Sequence, residues 1–320
     1  MKRKTINAII TKKMKEWQNS IEDEAVRELV RKNTIVTGGC IASMLLGEKV
    51  NDFDVYFRNK ETALEVAKYY VKRFKIKDKE GIDCPITIQH NEDRVGIVIK
   101  SSGIVSEEGT GESYEYFEMG GDRGDQNGHA YASEITRNLN YADSGEIEDI
   151  YDEANDLAQD VEDDSFRAVF MSTNAITLSN KVQIVLRFFG EPGEIHENYD
   201  FVHCTNYWTS LDTKVVLKSD ALEALLNREL VYVGSKYPLC SIIRTRKFIK
   251  RGWTINAGQY LKMCLQLNDM DLKNVEVLRE QTTGVDSAYF TDMLQRIENA
   301  NGAGAPIDAA YLIEVIDRIF

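Results

Sequence analysis

The stretch that decides the fold is Thr34-Ile-Val-Thr-Gly-Gly-Cys-Ile-Ala-Ser-Met-Leu-Leu-Gly-Glu-Lys-Val-Asn-Asp-Phe-Asp-Val-Tyr-Phe57. Its β-branched start predicts a short strand that ends at a Gly-Gly turn, and the apolar run after the turn predicts a short helix. Two glycines at a strand-to-helix junction let a ligand approach the backbone closely, and a helix N-terminus offers N–H groups to a phosphate. The turn at Gly38 and Gly39 therefore predicts a phosphate-binding site.

Two aspartates on the next predicted strand, which begins at Asp52, form the second half of this signal. Residues at i and i+2 of a strand face the same side, so Asp52 and Asp54 point together while Phe53 and Val55 point into the fold. Adjacent carboxylates repel each other unless a cation lies between them, and their oxygens suit Mg²⁺. Either motif alone is more often a plain loop or a solvated strand edge. Their order and spacing together favour phosphoryl or nucleotidyl transfer.

This arrangement resembles the nucleotidyltransferase superfamily with the polymerase-β-like fold, in which a Gly-Gly or Gly-Ser turn is followed at a similar spacing by Asp-x-Asp. The resemblance implies an α+β protein with a mixed sheet and flanking helices. It also implies that Asp52 and Asp54 are catalytic and hold two Mg²⁺ ions, and that the turn holds the phosphates of a nucleoside triphosphate (NTP).

A later segment, Tyr199-Asp-Phe201, resembles the Arg-Asp-Phe-Thr-x-Asn-Ala motif of class II CCA-adding enzymes and bacterial poly(A) polymerases. Asn198-Tyr199 replaces the arginines of that motif, and Cys204-Thr205 replaces Asn-Ala. The resemblance implies that Asp200 opens a strand and supplies a third catalytic and metal-binding carboxylate; a strand-end cap is the alternative. Alternation along that strand places His203 on the opposite face, where we expect a core or surface histidine.

Residues 219–233 and 237–252 resemble the neck of the same enzymes. The second segment has helical spacing, and Arg244 and Lys247 share one face of that helix. In the family, the neck helices cover the nucleotide base and begin the RNA path, which implies that these two side chains bind the nucleotide; an ordinary basic helix is the alternative. The family's Glu-Asp-x-x-Arg box, which selects C and A, is not evident, and this counts against CCA addition.

The composition limits the class of protein. A chain of 320 residues is expected to form two domains, or one domain with a large insertion. No run of 18 apolar residues is present, so no membrane helix is expected. The N-terminal segment is basic, and its apolar stretch is too short for a signal peptide. It predicts a helix running to about Lys32. Five scattered cysteines without Cys-x-x-Cys predict neither a disulfide framework nor a zinc site, and favour the cytoplasm, that of the host if a phage encodes the chain.

The negative charge is concentrated in residues 101–165, which contain 19 acidic residues and two arginines, a net charge of −17. The formal net charge of the whole chain is −13, so the remainder carries +4. We interpret 101–165 as an acidic insertion into a catalytic domain over 1–218, followed by a helical neck and C-terminal domain over 219–320. A solvated insertion with one amphipathic helix is favoured over a calcium site or a partner-docking arm.

The hypothesis from the sequence is a Mg²⁺-dependent, template-independent nucleotidyltransferase in which an acceptor hydroxyl attacks the α-phosphate of an NTP and pyrophosphate leaves. Asp52 and Asp54 bridge two Mg²⁺ ions, Asp200 completes the second metal site, and Gly38, Gly39 and Ser43 hold the β- and γ-phosphates. The expected acceptor is RNA, with a tRNA 3′ end as the candidate. The alternatives are a protein or small-molecule acceptor, and a non-catalytic binding protein on the same fold. Short nucleotidyltransferase-like proteins of large tailed phages show the best overall resemblance.

Overall fold

The structure is a computed structural model that describes residues 1–74, 86–92, 94–99, 118–119, 166–171, 174–282 and, near the end, 296–297, 299–300, 302 and 308–319. The main helices are α1 (Arg3–Ser20), α2 (Glu24–Asn33), α3 (Gly39–Leu46), α4 (Lys60–Arg73), α5 (Pro192–His196), α6 (Ser219–Asn227), α7 (Pro238–Lys250), α8 (Ala257–Asn268), α9 (Val275–Thr282) and α10 (Ala309–Ile319). The strands are β1 (Thr34–Thr37), β2 (Phe53–Phe57), β3 (Ile86–His90), β4 (Val95–Ile99), β5 (Glu118–Met119), β6 (Ala168–Met171), β7 (Ala175–Leu178), β8 (Val182–Phe189), β9 (Tyr207–Thr209) and β10 (Lys214–Val216).

The chain divides into two compact units. Among the described residues, the first unit takes in those up to 119, then 166–196, and then Asn206–Lys218. The second unit takes in Glu197–Thr205 and the described residues from Ser219 onward. Each unit has hydrophobic core residues of its own.

The first unit contains an eight-stranded sheet in the order β10-β9-β1-β2-β8-β7-β6-β5. Strands β2 and β8 are parallel, with Val55 opposite Ile184, and the other described neighbours in this sheet are antiparallel. A separate antiparallel hairpin is formed by β3 and β4. The predicted mixed sheet with flanking helices is therefore confirmed.

One face of this sheet forms the main hydrophobic core. Val55 and its neighbour Val36 on β1 are fully buried there, because the apolar faces of α1, α3 and α4 cover them. The contribution of α1 is a stripe at helical spacing, consisting of Ile6, Ile10, Met14 and Trp17. The indole N–H of Trp17 donates to the hydroxyl of Tyr70 on α4 at 2.9 Å, so that this large side chain buries no unpaired donor.

Two sequence-based boundaries were wrong. The single N-terminal helix to Lys32 is two helices, because the carboxylate of Asp23 accepts hydrogen bonds from the N–H groups of Ala25 (3.0 Å) and Val26 (3.2 Å) and thereby starts α2.

The strand predicted to open at Asp200 is also absent from its expected place. A 3₁₀ turn occupies Val202–Cys204, and the hydroxyl of Thr205 donates to the carbonyl oxygen of Val202 at 2.8 Å. This local side-chain bond competes with extended pairing, and the strand β9 begins only at Tyr207. The acidic insertion over 101–165 lies outside the described residues except for 118–119.

The described part of the second unit contains helices α6 to α10, and α7 packs against α8 and α9. His203 is buried among aromatic rings, with centroids 4.3 Å from Trp253 and 4.9 Å from Phe248. It is a core histidine, one of the two environments that the sequence predicted. In the part of the chain that the structure describes, no helix is both long enough and apolar enough to cross a membrane.

Candidate active site

The glycine turn joins β1 to α3. Gly38 is the N-cap of α3 and has φ 100° and ψ −154°, a conformation that side chains disfavour. Gly39 is the first helical residue and is exposed, and a Cβ added there would meet nothing within 4 Å beyond its own helix. Ser43 lies one helical turn after Gly39, on the same face, and is partly exposed. The start of α3 is thus open at Gly39, where the N-terminus of a helix favours an anion.

The aspartate pair lies on the neighbouring strand. Asp52 immediately precedes β2 and Asp54 is its second residue; both are partly exposed, whereas Phe53 and Val55 between and after them are buried. Burial, together with the negative charge of Asp52, raises the pKa of the Asp54 carboxyl well above its ordinary value. The two carboxylates therefore interact unfavourably when both are ionised, and a bound cation would relieve this repulsion.

The sheet register brings the turn and the aspartates to the same place. Val36 of β1 is opposite Val55 of β2, so the next step of that antiparallel register sets Thr37 opposite Asp54. Thr37 is also opposite Tyr207 of β9, and Asp54 is opposite Gln183 of β8. Side chains of paired residues share a face, so a row of polar side chains crosses four strands on the face away from Val36 and Val55.

The residues present fit a magnesium site in one respect. Two carboxylates from one strand, one of them with a raised pKa, provide hard oxygen ligands whose repulsion a divalent cation would remove. Within the described ranges, no group of three or more His, Cys, Asp and Glu side chains could hold a metal ion. The fit therefore rests on the pair, and Mg²⁺ commonly takes its remaining ligands from water and phosphate oxygens.

Asp200 and Arg244, two of the predicted site residues, are bound to each other in the second unit. Arg244 Nη1 donates to Asp200 Oδ2 at 2.6 Å, and the hydroxyl of Ser241 donates to Asp200 Oδ1 at 2.8 Å. The Asp200 side chain is 9% exposed, so the carboxylate is almost removed from water and is satisfied by these donors. Lys247 lies three residues after Arg244 on α7 and is partly exposed.

A buried polar chain next to the glycine turn was missed by sequence reasoning. The ammonium of Lys218 lies 3.1 Å from His196 Nδ1, and His196 Nε2 lies 2.9 Å from Thr37 Oγ1. The Thr37 hydroxyl donates to the carbonyl oxygen of Asn206 at 2.9 Å, and the side-chain oxygen of Asn206 accepts from the backbone N–H of Lys218 at 2.8 Å. No short motif contains these residues, since Thr37 and His196 are 159 positions apart.

A second unpredicted feature lies beside the aspartates. Asn180 and Lys181 both have left-handed backbone conformations, with φ 65° and 62°, directly before β8. Lys181 Nζ donates to the carbonyl oxygen of Val50 at 3.2 Å and so fixes the loop that leads into Asp52. Lysine seldom adopts this conformation, and such backbone strain is concentrated at functional sites.

A mixed sheet, a Gly-Gly turn at a helix N-terminus and an Asp-x-Asp pair on the adjacent strand match the arrangement that the sequence resemblance to nucleotidyltransferases predicted. The chain belongs to the Gabija anti-defense 2 family, which it matches over residues 8–228. This match spans the glycine turn, the aspartate pair, Asp200 and Lys218.

This chain matches part of a curated relative. It is 23% identical over 117 residues to Gabija anti-defense 2 of Bacillus phage SPbetaL7, a match covering 36% of this chain and 29% of that relative. The matched part thus spans less than a third of the relative's length.

The chain is also similar to solved structures of CCA-adding enzymes. It is 10% identical to the Bacillus stearothermophilus enzyme in complex with CTP, with a TM-score of 0.37 and coverage of 88% of this chain and 51% of that one. It is 12% identical to the Thermotoga maritima enzyme complexed with tRNA, with a TM-score of 0.35 and coverage of 94% and 65%. Similarity at this level does not transfer the activity of those enzymes.

Proposed function

We propose that this protein is a Mg²⁺-dependent nucleotidyltransferase that transfers a nucleoside monophosphate from an NTP to an acceptor hydroxyl, and that this transfer counteracts Gabija defence. The observation that carries the proposal is the register of β1 and β2. It sets the end of β1, where the glycine turn begins, opposite Asp54. The proposed phosphate site and the aspartate pair consequently share one end of one sheet face.

The chemistry assigns a task to each part of this face. The N–H groups of the first turn of α3, at Gly38 and Gly39, bind the β- and γ-phosphates, and Ser43 on the same helix face offers a hydroxyl. Asp52 and Asp54 hold Mg²⁺, which when bound neutralises phosphate charge and activates the attacking hydroxyl. The acceptor oxygen forms a bond to the α-phosphorus, the bond between the α-phosphorus and the bridging oxygen breaks, and pyrophosphate leaves. The hydroxyl proton passes to a carboxylate or to water.

The family name favours an acceptor within the Gabija defence itself. A transferred nucleotide adds bulk and negative charge to its acceptor, and such a change at a working surface of a defence component would block that component. This acceptor is a protein in the first instance.

An RNA acceptor is the second candidate, and the charge of α7 favours it. The end of this helix carries Arg246 and Lys250, both exposed, and the exposed Arg251 follows. From 201 to 260 the chain has nine Lys or Arg against four Asp or Glu, whereas the whole chain is acidic. Such a cationic surface suits a phosphate backbone.

The experiment that separates these acceptors incubates the protein with Mg²⁺, each α-³²P-labelled NTP, and either purified Gabija components or total host RNA. We expect label on one acceptor with the wild type and none with Asp54→Asn. Absence of label on every acceptor, in the presence of intact wild-type protein, contradicts the proposal.

A phage-plating assay on Gabija-positive cells tests whether the chemistry carries the biological effect. If the Asp52→Asn, Asp54→Asn double variant still counteracts the defence as well as the wild type, the protein acts by binding alone, and the fold has been retained without its chemistry.

A further inference from the structure

The polar chain from Lys218 to Thr37 is built into the end of the sheet that carries the glycine turn. Asn206 and Thr37 are fully buried and His196 is nearly so, whereas Lys218 is partly exposed. Burying polar side chains costs desolvation free energy unless they form hydrogen bonds. A buried network of this kind therefore fixes the positions of its side chains rather than adding to the stability of the fold.

The hydrogen bonds of this polar chain all point the same way, from Lys218 towards Asn206. An ammonium can only donate, so Lys218 donates to His196 Nδ1, which leaves the imidazole proton on Nε2 to be donated to Thr37 Oγ1. The Thr37 hydroxyl then donates to the carbonyl oxygen of Asn206. This order requires a neutral imidazole. Burial, and to a smaller extent the charge of Lys218, lowers the pKa of His196 to about 4 and keeps it neutral.

Lys218, at the exposed end of the polar chain, is oriented by a neutral group. Its described partner is the neutral imidazole, and in the part of the chain that the structure describes no carboxylate forms an ion pair with it. The imidazole uses one of the three N–H donors of the ammonium, and two remain. A lysine that is oriented by a neutral acceptor and not by an acid is suited to bind an anionic ligand.

A second observation concerns Asn206. Its side-chain oxygen is used by Lys218, but its Nδ2 is buried and has no hydrogen-bond partner among the described residues. Buried amides are rarely left half-satisfied, and such a group needs an explanation, of which a bound ligand is one. The unsatisfied donor and the ammonium both belong to the polar chain that reaches Thr37, the residue directly before Gly38 and α3.

We propose that Lys218 is a nucleotide-binding residue whose ammonium contacts the triphosphate held at the N-terminus of α3, and that His196 and Thr37 are positioning residues that aim it. This inference rests on the proposed function, because it names a further ligand of the same phosphate site. Lys218 forms no covalent bond and transfers no proton; it neutralises negative charge that the aspartate pair would otherwise repel.

The test is calorimetric titration with a non-hydrolysable ATP analogue, inorganic triphosphate and adenosine, each with Mg²⁺. We expect Lys218→Ala to weaken the analogue and inorganic triphosphate roughly tenfold or more, since a charge-assisted hydrogen bond is removed, and to leave adenosine unchanged. Lys218→Arg keeps the charge and should retain most of the affinity. His196→Ala should weaken triphosphate binding by a smaller factor, because the ammonium of Lys218 is still present but is no longer oriented by the imidazole.

Lys214→Ala is the matched control, since Lys214 is an exposed lysine on β10 of the same hairpin and should not affect binding. Equal triphosphate affinity of Lys218→Ala and wild type, at equal melting temperature, overturns the inference while the proposed function stands. If Lys218→Ala does not fold, Lys218→Met replaces it, and the same comparison applies. If the wild type binds neither the analogue nor triphosphate, the proposed function fails and this inference fails with it.

Discussion

At the scale of single residues, the two glycines of the turn are needed for different reasons, one structural and one functional. Gly38 needs its glycine for the backbone, because its φ is 100°, whereas Gly39 has ordinary helical geometry and open space where a side chain would go. The structure gives no packing reason for a glycine at position 39. Its value, in the proposed function, is the close approach of a phosphate.

Substitutions at the two glycines should therefore have different effects. Gly38→Ala should lower the free energy of unfolding by about 1 kcal/mol, since alanine is strained at positive φ. Gly39→Val should leave the melting temperature near that of the wild type and weaken Mg²⁺-NTP binding roughly tenfold or more, by blocking the approach to the first turn of α3.

Gly193→Val is the control for Gly39→Val, because Gly193 also lies near a helix start and a Cβ added there would meet nothing within 4 Å. Calorimetry and thermal denaturation distinguish the outcomes. Unchanged NTP affinity in Gly39→Val would remove the turn from the site.

The role of Asp200 is also decided at the residue scale. Its carboxylate receives donors from Arg244 and Ser241, and loss of one partner of such a pair leaves the other desolvated and unpaired. Asp200→Asn and Arg244→Gln should each lower the free energy of unfolding by roughly 1–3 kcal/mol.

If the pair is structural, the double variant should cost less than the sum of the single changes, and both single variants should lower activity only as far as they lower the folded fraction. Loss of nucleotidyl transfer in a fully folded Asp200→Asn, with activity kept in Arg244→Gln, would instead establish Asp200 as the third catalytic carboxylate.

At the scale of elements, the sequence predicted well where the signal was local. The stretch over 34–57 gave β1, α3 and β2 within one or two residues of their observed bounds, because its β-branched, glycine and apolar runs are short and contiguous. Prediction from the sequence failed at Asp23 and at 202–204, where side-chain hydrogen bonds override the hydrophobic pattern. The hairpin of β9 and β10, which leads to Lys218 and is preceded by Asn206, was not predicted from the sequence.

The basic end of α7 gives an element-scale prediction for the RNA acceptor. Lys247→Glu with Lys250→Glu should weaken tRNA binding at low salt far more than NTP binding, and should reduce the salt slope by roughly one unit for each phosphate that is no longer bound. A gel-shift salt series measures this. Lys4→Glu with Lys15→Glu, on the exposed side of α1, is the charge-matched control. Identical salt slopes for the two double variants would leave α7 without a role in RNA binding.

At the scale of the whole molecule, the long-range contacts are what the sequence could not supply. Thr37, His196 and Lys218 come together only because β1 lies beside β9 and α5 follows β8, and no spacing rule joins such distant positions. The aspartate pair could be predicted from the sequence, because its two members are two residues apart. For the acidic segment 101–165, the interpretation as an insertion stays a prediction.

Each unit also contains a buried neutral histidine, His196 in the first and His203 in the second. Burial lowers the pKa of each to about 4, and Asp200 acts in the opposite direction at His203 without reversing the effect. The unfolded chain has histidine pKa values near 6.5, so it binds more protons than the folded protein between about pH 6.5 and pH 4. The contribution of the neutral histidines to the free energy of unfolding should therefore be fully present above about pH 6.5. It should be lost as the pH drops to about 4, by on the order of 1 kcal/mol or more per histidine.

Urea denaturation at a series of pH values measures this decrease. His196→Gln, which preserves hydrogen-bonding capacity without titrating, should show a shallower pH dependence than the wild type over that range. An unchanged slope in His196→Gln would mean that His196 is not held neutral by the fold.

The most direct measurement of the central claim is release of pyrophosphate and transfer of label from an α-³²P-labelled NTP, with Mg²⁺ and an acceptor, by the wild type and by Asp52→Asn and Asp54→Asn. Both substitutions remove a negative charge from a repelling pair and open no cavity, so both variants should stay folded. We expect transfer by the wild type and a loss of roughly a hundredfold or more in each variant. Transfer at the wild-type rate by both folded variants would contradict the proposed function.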